Sequence, residues 1–231
     1  MATILLTRPI DDVTASKRRL ELLGHEVLLA PMIKIQPVTF AVPDKTSTLI
    51  VTSANAVRHG LRNLEGRDWT VYCVGEVTAQ AARDEGFTRV IAGPGTARGL
   101  MPILLSSSGE VKRQFTHMAG EEVAYNITDA LRQNGFEANT TTVYRAVAAN
   151  GLPFDAEGAL NSGSVTHVLF YSPRTATIFE EVVSDLDRHY WLHKLTAVGI
   201  STRVGDMLIG PWQSIKTAIM PTEQGMFKLI D

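Results

Sequence analysis

Leu49-Ile50-Val51-Thr52-Ser53-Ala54-Asn55-Ala56-Val57-Arg58 decides how this chain is read, because its pattern occurs twice. An apolar, β-prone run (Leu49 to Val51) stops at Thr52-Ser53. Ala54, Val57, Leu61 and Leu64 then recur at helical spacing, so strand passes into helix at the serine. The stretch 167–176 makes the same move. Val168-Leu169-Phe170 leads to Tyr171-Ser172-Pro173-Arg174, and Ile178, Phe179, Val182, Val183 and Leu186 follow at helical spacing. Pro173 suits the first turn of a helix, where no N–H is needed. Each serine thus sits where free backbone N–H groups and the positive end of a helix dipole face outward.

Working outward, three more units recur in the same order. Thr3 to Leu6 reads as a strand followed by Thr7-Arg8-Pro9. A helix from about Asp11-Asp12 then runs through Val13, Leu20 and Leu23 to a stop at Gly24, and His25 to Ala30 is the next strand. Phe115 to Met118 is its counterpart, followed by Ala119-Gly120-Glu121, a helix through Val123, Ile127 and Leu131, and a stop at Gly135. The run Val71 to Val74 ends at Gly75 with Thr78 beyond it, as Ala197-Val198 ends at Gly199 with Thr202 beyond it. Thr96-Ala97-Arg98-Gly99-Leu100 is echoed by Thr222-Glu223-Gln224-Gly225-Met226. Agreement in order and spacing predicts a doubled α/β array.

The expected fold class is therefore α/β: two similar lobes, each a parallel sheet flanked by helices, with ligand beyond the carboxyl ends of the strands in the cleft between them. The joins are expected at 31–37, where Met32-Ile33-Lys34-Ile35-Gln36 is bracketed by prolines, and at 142–149. These form a two-stranded connector. Lobe one then comprises 1–34 and 147–231, and lobe two is the inserted 38–142. Ser106-Ser107-Ser108-Gly109 reads as a short flexible loop.

Composition limits the chemistry. The 231 residues carry a net charge of −2, which gives no general attraction to nucleic acid or to an anionic membrane, so local dipoles and a few cations must hold any anionic ligand. Cys73, the single cysteine, lies in an apolar run and reads as a core residue of a reducing compartment. Met1 leads directly into a strand without the pattern of a signal peptide, and no apolar run approaches a membrane span. A cytoplasmic location is expected.

Several patterns weigh against other chemistries. Gly93-Pro94-Gly95-Thr96-Ala97-Arg98-Gly99 has a last spacing one residue too long for a dinucleotide loop, which disfavours an NAD-linked enzyme. His189 and His193 have helical metal-ligand spacing but no clear third ligand. Asp11-Asp12 could mark a phospho-acceptor or a helix N-terminus, and the latter explains it more simply. Ser53 and Ser172 lack the nucleophile elbow of a hydrolase. What remains is a set of hydroxyls and glycines at helix starts, Thr78, Thr96 and Gly120 among them, suited to a large ligand with many carboxylates. Tyr144, in Thr142-Val143-Tyr144-Arg145, either packs in the connector or points at that ligand.

Ile4-Leu5-Leu6-Thr7-Arg8-Pro9, Val51-Thr52-Ser53-Ala54-Asn55-Ala56-Val57, Val74-Gly75-Glu76-Val77-Thr78-Ala79, Val143-Tyr144-Arg145, Phe170-Tyr171-Ser172-Pro173-Arg174, Ala197-Val198-Gly199-Ile200-Ser201-Thr202 and Pro221-Thr222, in this order, resemble the uroporphyrinogen-III synthase family. The resemblance implies a hydro-lyase of haem biosynthesis that cyclises hydroxymethylbilane, with loss of water and inversion of ring D through a spiro intermediate. It implies no metal and no cofactor. It makes Tyr144 the catalytic residue. Substrate would be held by Thr7, Arg8, Ser53, Thr78, Gly120, Ser172, Ser201 and Thr222, with Ala54, Gly75, Pro173 and Gly199 beside them. The enzyme would act as a monomer, without nucleic acid or membrane, with room for transient contact with the enzyme that makes the bilane. The alternative from another class is a two-lobed, non-enzymatic small-ligand binding protein.

Overall fold

The apolar runs become strands buried on both faces, as a parallel sheet under two helical layers requires. The computed structural model describes residues 1–106 and 114–230, so Ser107, Ser108 and Gly109 of the expected loop lie outside the described residues. The strands are β1 (Thr3–Leu6), β2 (Glu26–Leu29), β3 (Ile33–Pro37), β4 (Thr48–Val51), β5 (Thr70–Cys73) and β6 (Arg89–Ala92). They continue with β7 (Gln114–Gly120), β8 (Glu137–Ala148), β9 (His167–Phe170), β10 (Thr196–Gly199) and β11 (Ser214–Thr217). The helices are α1 (Ile10–Leu22), α2 (Ala54–His59), α3 (Glu76–Asp84), α4 (Ala97–Ser106) and α5 (Ile127–Gln133). After β8 come α6 (Phe154–Ser162), α7 (Pro173–Asp185), α8 (Thr202–Gly205) and α9 (Glu223–Phe227).

The chain divides into two compact units, Met1–Lys34 with Val147–Asp231, and Ile35–Ala146. The first holds a sheet in the order β11-β10-β9-β1-β2 with every neighbouring pair parallel. The second holds β3-β8-β7-β4-β5-β6, parallel from β8 to β6. Matching β2, β1, β9, β10 and β11 to β8, β7, β4, β5 and β6 gives one strand order for both sheets. The chain enters the two at different places. The first unit opens with the β1–β2 pair, whereas the second ends with the corresponding β7–β8 pair. Each sequence repeat is therefore divided between units, and each unit is assembled from halves of both repeats.

Strand alternation sends neighbouring residues of β4 to opposite cores. Leu49 and Val51 pack with Val57 of α2 and with Ala79 and Ala82 of α3. Ile50 packs with Leu100 and Leu104 of α4 and with Ile127 and Leu131 of α5. In the first unit Ile4, Leu6 and Leu169 meet Val13 and Leu20 of α1 and Met226 of α9.

Some expectations need correction. The helix after Ser53 does not continue through Leu61 and Leu64. It ends at Gly60, and a 3₁₀ turn, Leu61–Asn63, follows. Gly60 packs so closely that a Cβ there would stand 3.0 Å from Val143 Cγ2 and 3.1 Å from Met118 Cε, and the break still lets Leu61 and Leu64 bury. Val123 lies outside α5, because Asn126 caps that helix by accepting the Asp129 N–H at 3.2 Å. His189 and His193 fall in a 3₁₀ segment, His189–Lys194, whose three-residue turn does not align positions four apart. Among the described residues no group of His, Cys, Asp and Glu is arranged to hold a metal. Residues 142–148 continue β8, which lies beside β3.

Candidate active site

A change of register near the end of β7 shapes the site in the second unit. Ala119 pairs with Thr142, but Gly120 pairs with Tyr144, so Val143 is an extra residue. Such a bulge bends its strand and re-aims a side chain. It delivers the Tyr144 ring over Gly120, where an added Cβ would lie 2.7 Å from Cζ and 2.8 Å from Cε2. Gly120 is needed for close approach of that ring. It closes a strand rather than opening a helix, contrary to the sequence expectation.

The Tyr144 hydroxyl then meets Ser53. The two oxygens are 3.0 Å apart. Ser53 is fixed as the N-cap of α2, where its Oγ accepts the Ala56 N–H at 3.1 Å. The His59 ring lies 6.2 Å from that of Tyr144, tilted by 45°. A cavity of about 340 Å³ opens here, lined by Thr52, Ser53, Thr96, Gly120, Tyr125 and Tyr144 among others. It occupies the place where the crossovers from β4 and β7 diverge to opposite sides of the sheet. Open α/β sheets bind ligands at such a switch point.

The corresponding point of the first unit lies between β9 and β1, and it is built differently. Ser172 caps α7, accepting the Thr175 N–H at 3.2 Å, and its hydroxyl lies 3.1 Å from Thr175 Oγ1. Pro173 occupies the first turn of that helix. Thr7 is fully buried and donates to the Leu169 carbonyl at 2.7 Å, so its hydroxyl serves the sheet. By strand register Pro9 takes the place that Gly120 takes in the other repeat, and Arg8 precedes it. Its guanidinium lies 4.5 Å from the Tyr171 ring centroid and bonds Glu223 at 2.8 Å, and Ser16 and Arg19 hold the same carboxylate. Burial, reinforced by Glu223, pushes the Tyr171 phenol up to about 12.

The other expected residues sort by unit. Ser53, Gly120 and Tyr144 converge on the cavity, and Ala54 begins the helix that Ser53 caps. Gly75 caps α3 and packs against Gly95, whereas Thr78 is buried inside α3 rather than standing free at its start. Gly199 ends β10, Ser201 caps α8 without a side-chain bond, and Thr222 caps α9 by accepting the Gly225 N–H at 3.1 Å. Sequence reading did not assign Thr52 or Tyr125 to the site, and it placed Thr96 there only as one of the hydroxyls at helix starts. The repeat already marked Thr96, but nothing local marks Tyr125, whose ring lies 5.5 Å from Arg98.

Cys73 is buried, and desolvation pushes its thiol up to about 12, so it supplies no nucleophile. His117 is buried on β7, 3.0 Å from Thr52 Oγ1, and desolvation pulls its pKa down to about 4. With a folded value below the unfolded value of 6.5, the unfolded chain takes up the proton more readily. Stability from this site is intact above about pH 6.5 and drains away as pH falls towards 4. Relative to His117→Gln, wild type is expected to lose about 3 kcal/mol over that interval. Urea unfolding of both proteins at a series of pH values checks this.

Two permuted parallel sheets, each with its switch point at the strand carboxyl ends, define a doubled α/β class of protein. Within it, the family profile described as uroporphyrinogen-III synthase HemD matches residues 14–231, and the chain belongs to that family. No curated protein sequence matches. Among solved structures, uroporphyrinogen-III synthetase from Helicobacter pylori aligns at 17% identity and TM-score 0.65, covering 99% of this chain and 98% of its own. A mutant uroporphyrinogen III synthase from the extremely thermophilic bacterium Thermus thermophilus aligns at 17% identity and TM-score 0.53, covering 99% and 97%. Both share the fold.

Proposed function

We propose that this chain cyclises hydroxymethylbilane to uroporphyrinogen III, with Tyr144 as proton donor. The observation that carries this reading is the Tyr144 phenol, aimed by a bulge into a cavity at the switch point and held 3.0 Å from Ser53. A phenol suits the departing hydroxyl, being neutral at pH 7 and able to donate. Its proton joins the leaving oxygen, the C–O bond breaks, and water departs as the ring becomes an azafulvenium cation. The substituted carbon of ring D then attacks the new methylene to give a spiro intermediate, the bond from that carbon to its original methylene bridge breaks, and that bridge rejoins ring D at the free carbon, which inverts the ring. Loss of a ring proton at closure restores the phenol.

Most of the task is restraint, because an unrestrained azafulvenium cation closes at the free carbon. The acetate and propionate groups are assigned to hydroxyls and N–H groups at strand ends of both units, from the backbone N–H groups of Ser53, Ala54 and Gly75 in one and from Ser172, Gly199, Ser201 and Thr222 in the other. Single losses should be tolerated. Ser172→Ala is expected to cost about 0.5–1.5 kcal/mol of substrate affinity, roughly 2- to 10-fold in KM, with kcat little changed. Steady-state kinetics read both.

No helix of the described residues is long and apolar enough to cross a membrane. A monomeric, cytoplasmic enzyme receiving its bilane by transient contact with the enzyme that makes it belongs to the same proposal. The deciding test mixes the chain with freshly generated hydroxymethylbilane and resolves the oxidised uroporphyrin isomers. Type III in excess is expected. Type I alone, formed at the spontaneous rate, overturns the reading and would favour a binding protein.

A further inference from the structure

We infer that Ser53 orients the proton of Tyr144. Its hydroxyl donates to the phenol oxygen, leaving the Tyr144 O–H to face the cavity. This rests on the proposed reaction and assigns Ser53 a positioning role.

The geometry restricts the alternatives. Ser53 Oγ has one proton and two lone pairs, and the Ala56 N–H takes one lone pair at 3.1 Å. The remaining bond, 3.0 Å to Tyr144, can run either way. If Tyr144 donates, its only proton is held by Ser53, and the phenol offers the cavity nothing but lone pairs. If Ser53 donates, the phenol proton is released to the ligand. Accepting from Ala56 strengthens Ser53 as a donor, since hydrogen bonds in a chain polarise one another. As the phenol passes its proton to the leaving hydroxyl, its oxygen gains negative charge. The Ser53 O–H then becomes a charge-assisted bond, stronger in the transition state than before it.

The repeat provides an internal comparison. Ser172 stands at the matching strand-to-helix turn with the same cap, but its hydroxyl stays within the turn, beside Thr175. There, by strand register, Pro9 takes the position of Gly120. The serine serves the cap in both repeats. Only in the second unit do a bulge and a glycine bring a phenol to it.

The test is a double-variant cycle on the full chain with hydroxymethylbilane, resolving kcat, KM and isomer. Ser53→Gly removes the hydroxyl at little cost to a helix cap, and Ser53→Thr retains it. Ser53→Gly is expected to lower kcat roughly 10- to 100-fold, the worth of one hydrogen bond to a developing charge, with KM little changed. Ser53→Thr should recover most of that loss. In a Tyr144→Phe background, Ser53→Gly should change kcat less than about 2-fold, because the two act as one unit. Equal losses in both backgrounds, or a raised KM with kcat intact, would overturn the inference and leave Ser53 a cap or a direct substrate contact. A wild-type chain that makes no type III isomer overturns the functional reading itself, and this inference with it.

Discussion

Tyr144→Phe should lower turnover by roughly 10²–10⁴-fold, the usual contribution of a positioned general acid. The ring stays in place over Gly120 and only the donor is lost, so the thermal midpoint should barely move. Tyr144→Ser should do at least as badly, since its shorter side chain leaves the hydroxyl far from where the phenol oxygen stood. The measurement is kcat with isomer resolution, alongside thermal unfolding of each variant. Turnover at the wild-type rate by Tyr144→Phe, still giving the inverted isomer, would make Tyr144 scaffold and leave the proton to bound water or the substrate.

The second large effect is expected at a residue with no side chain. In Gly120→Ala the new methyl would stand 2.7 Å from Tyr144 Cζ and 3.0 Å from its hydroxyl oxygen, so the ring must move. A misplacement of about 1 Å can cost roughly 10²-fold in rate, and a loss in kcat of that order is expected. Overpacking should also lower stability by about 1–3 kcal/mol. Pairing the variant with Tyr144→Ala removes the clash, so the stability loss from Gly120→Ala should largely vanish in that background. Additive losses of stability would place the strain elsewhere.

The arrangement around Glu223 bears on the other unit. The resemblance sets Arg8 against substrate, yet it bonds a carboxylate 215 residues away in sequence and lies over Tyr171. The conformation described here therefore uses Arg8 to join α1 to α9, and Thr7 to tie β1 to β9. No pattern near Thr7-Arg8-Pro9 announces either partner.

Local features were readable before any coordinates. An apolar run of strand length, a small hydroxyl residue and helical spacing afterwards interact over a few residues, so the turns at Ser53 and Ser172, the strands β4 and β9, and the doubled α/β order follow from the chain alone. Distant pairings did not. The joins expected at 31–37 and 142–149 already put β1–β2 with β9–β11 and set β4–β8 apart, but the strand order and register within each sheet are chosen by which apolar faces can be buried together. The extra residue Val143, the approach of Tyr144 to Gly120, and the 91-residue reach from Ser53 to Tyr144 depend on β8 lying beside β7 and β7 beside β4. The chemistry of the candidate site arises from those neighbours, since a phenol and a serine hydroxyl acquire their roles only when packing brings them into contact.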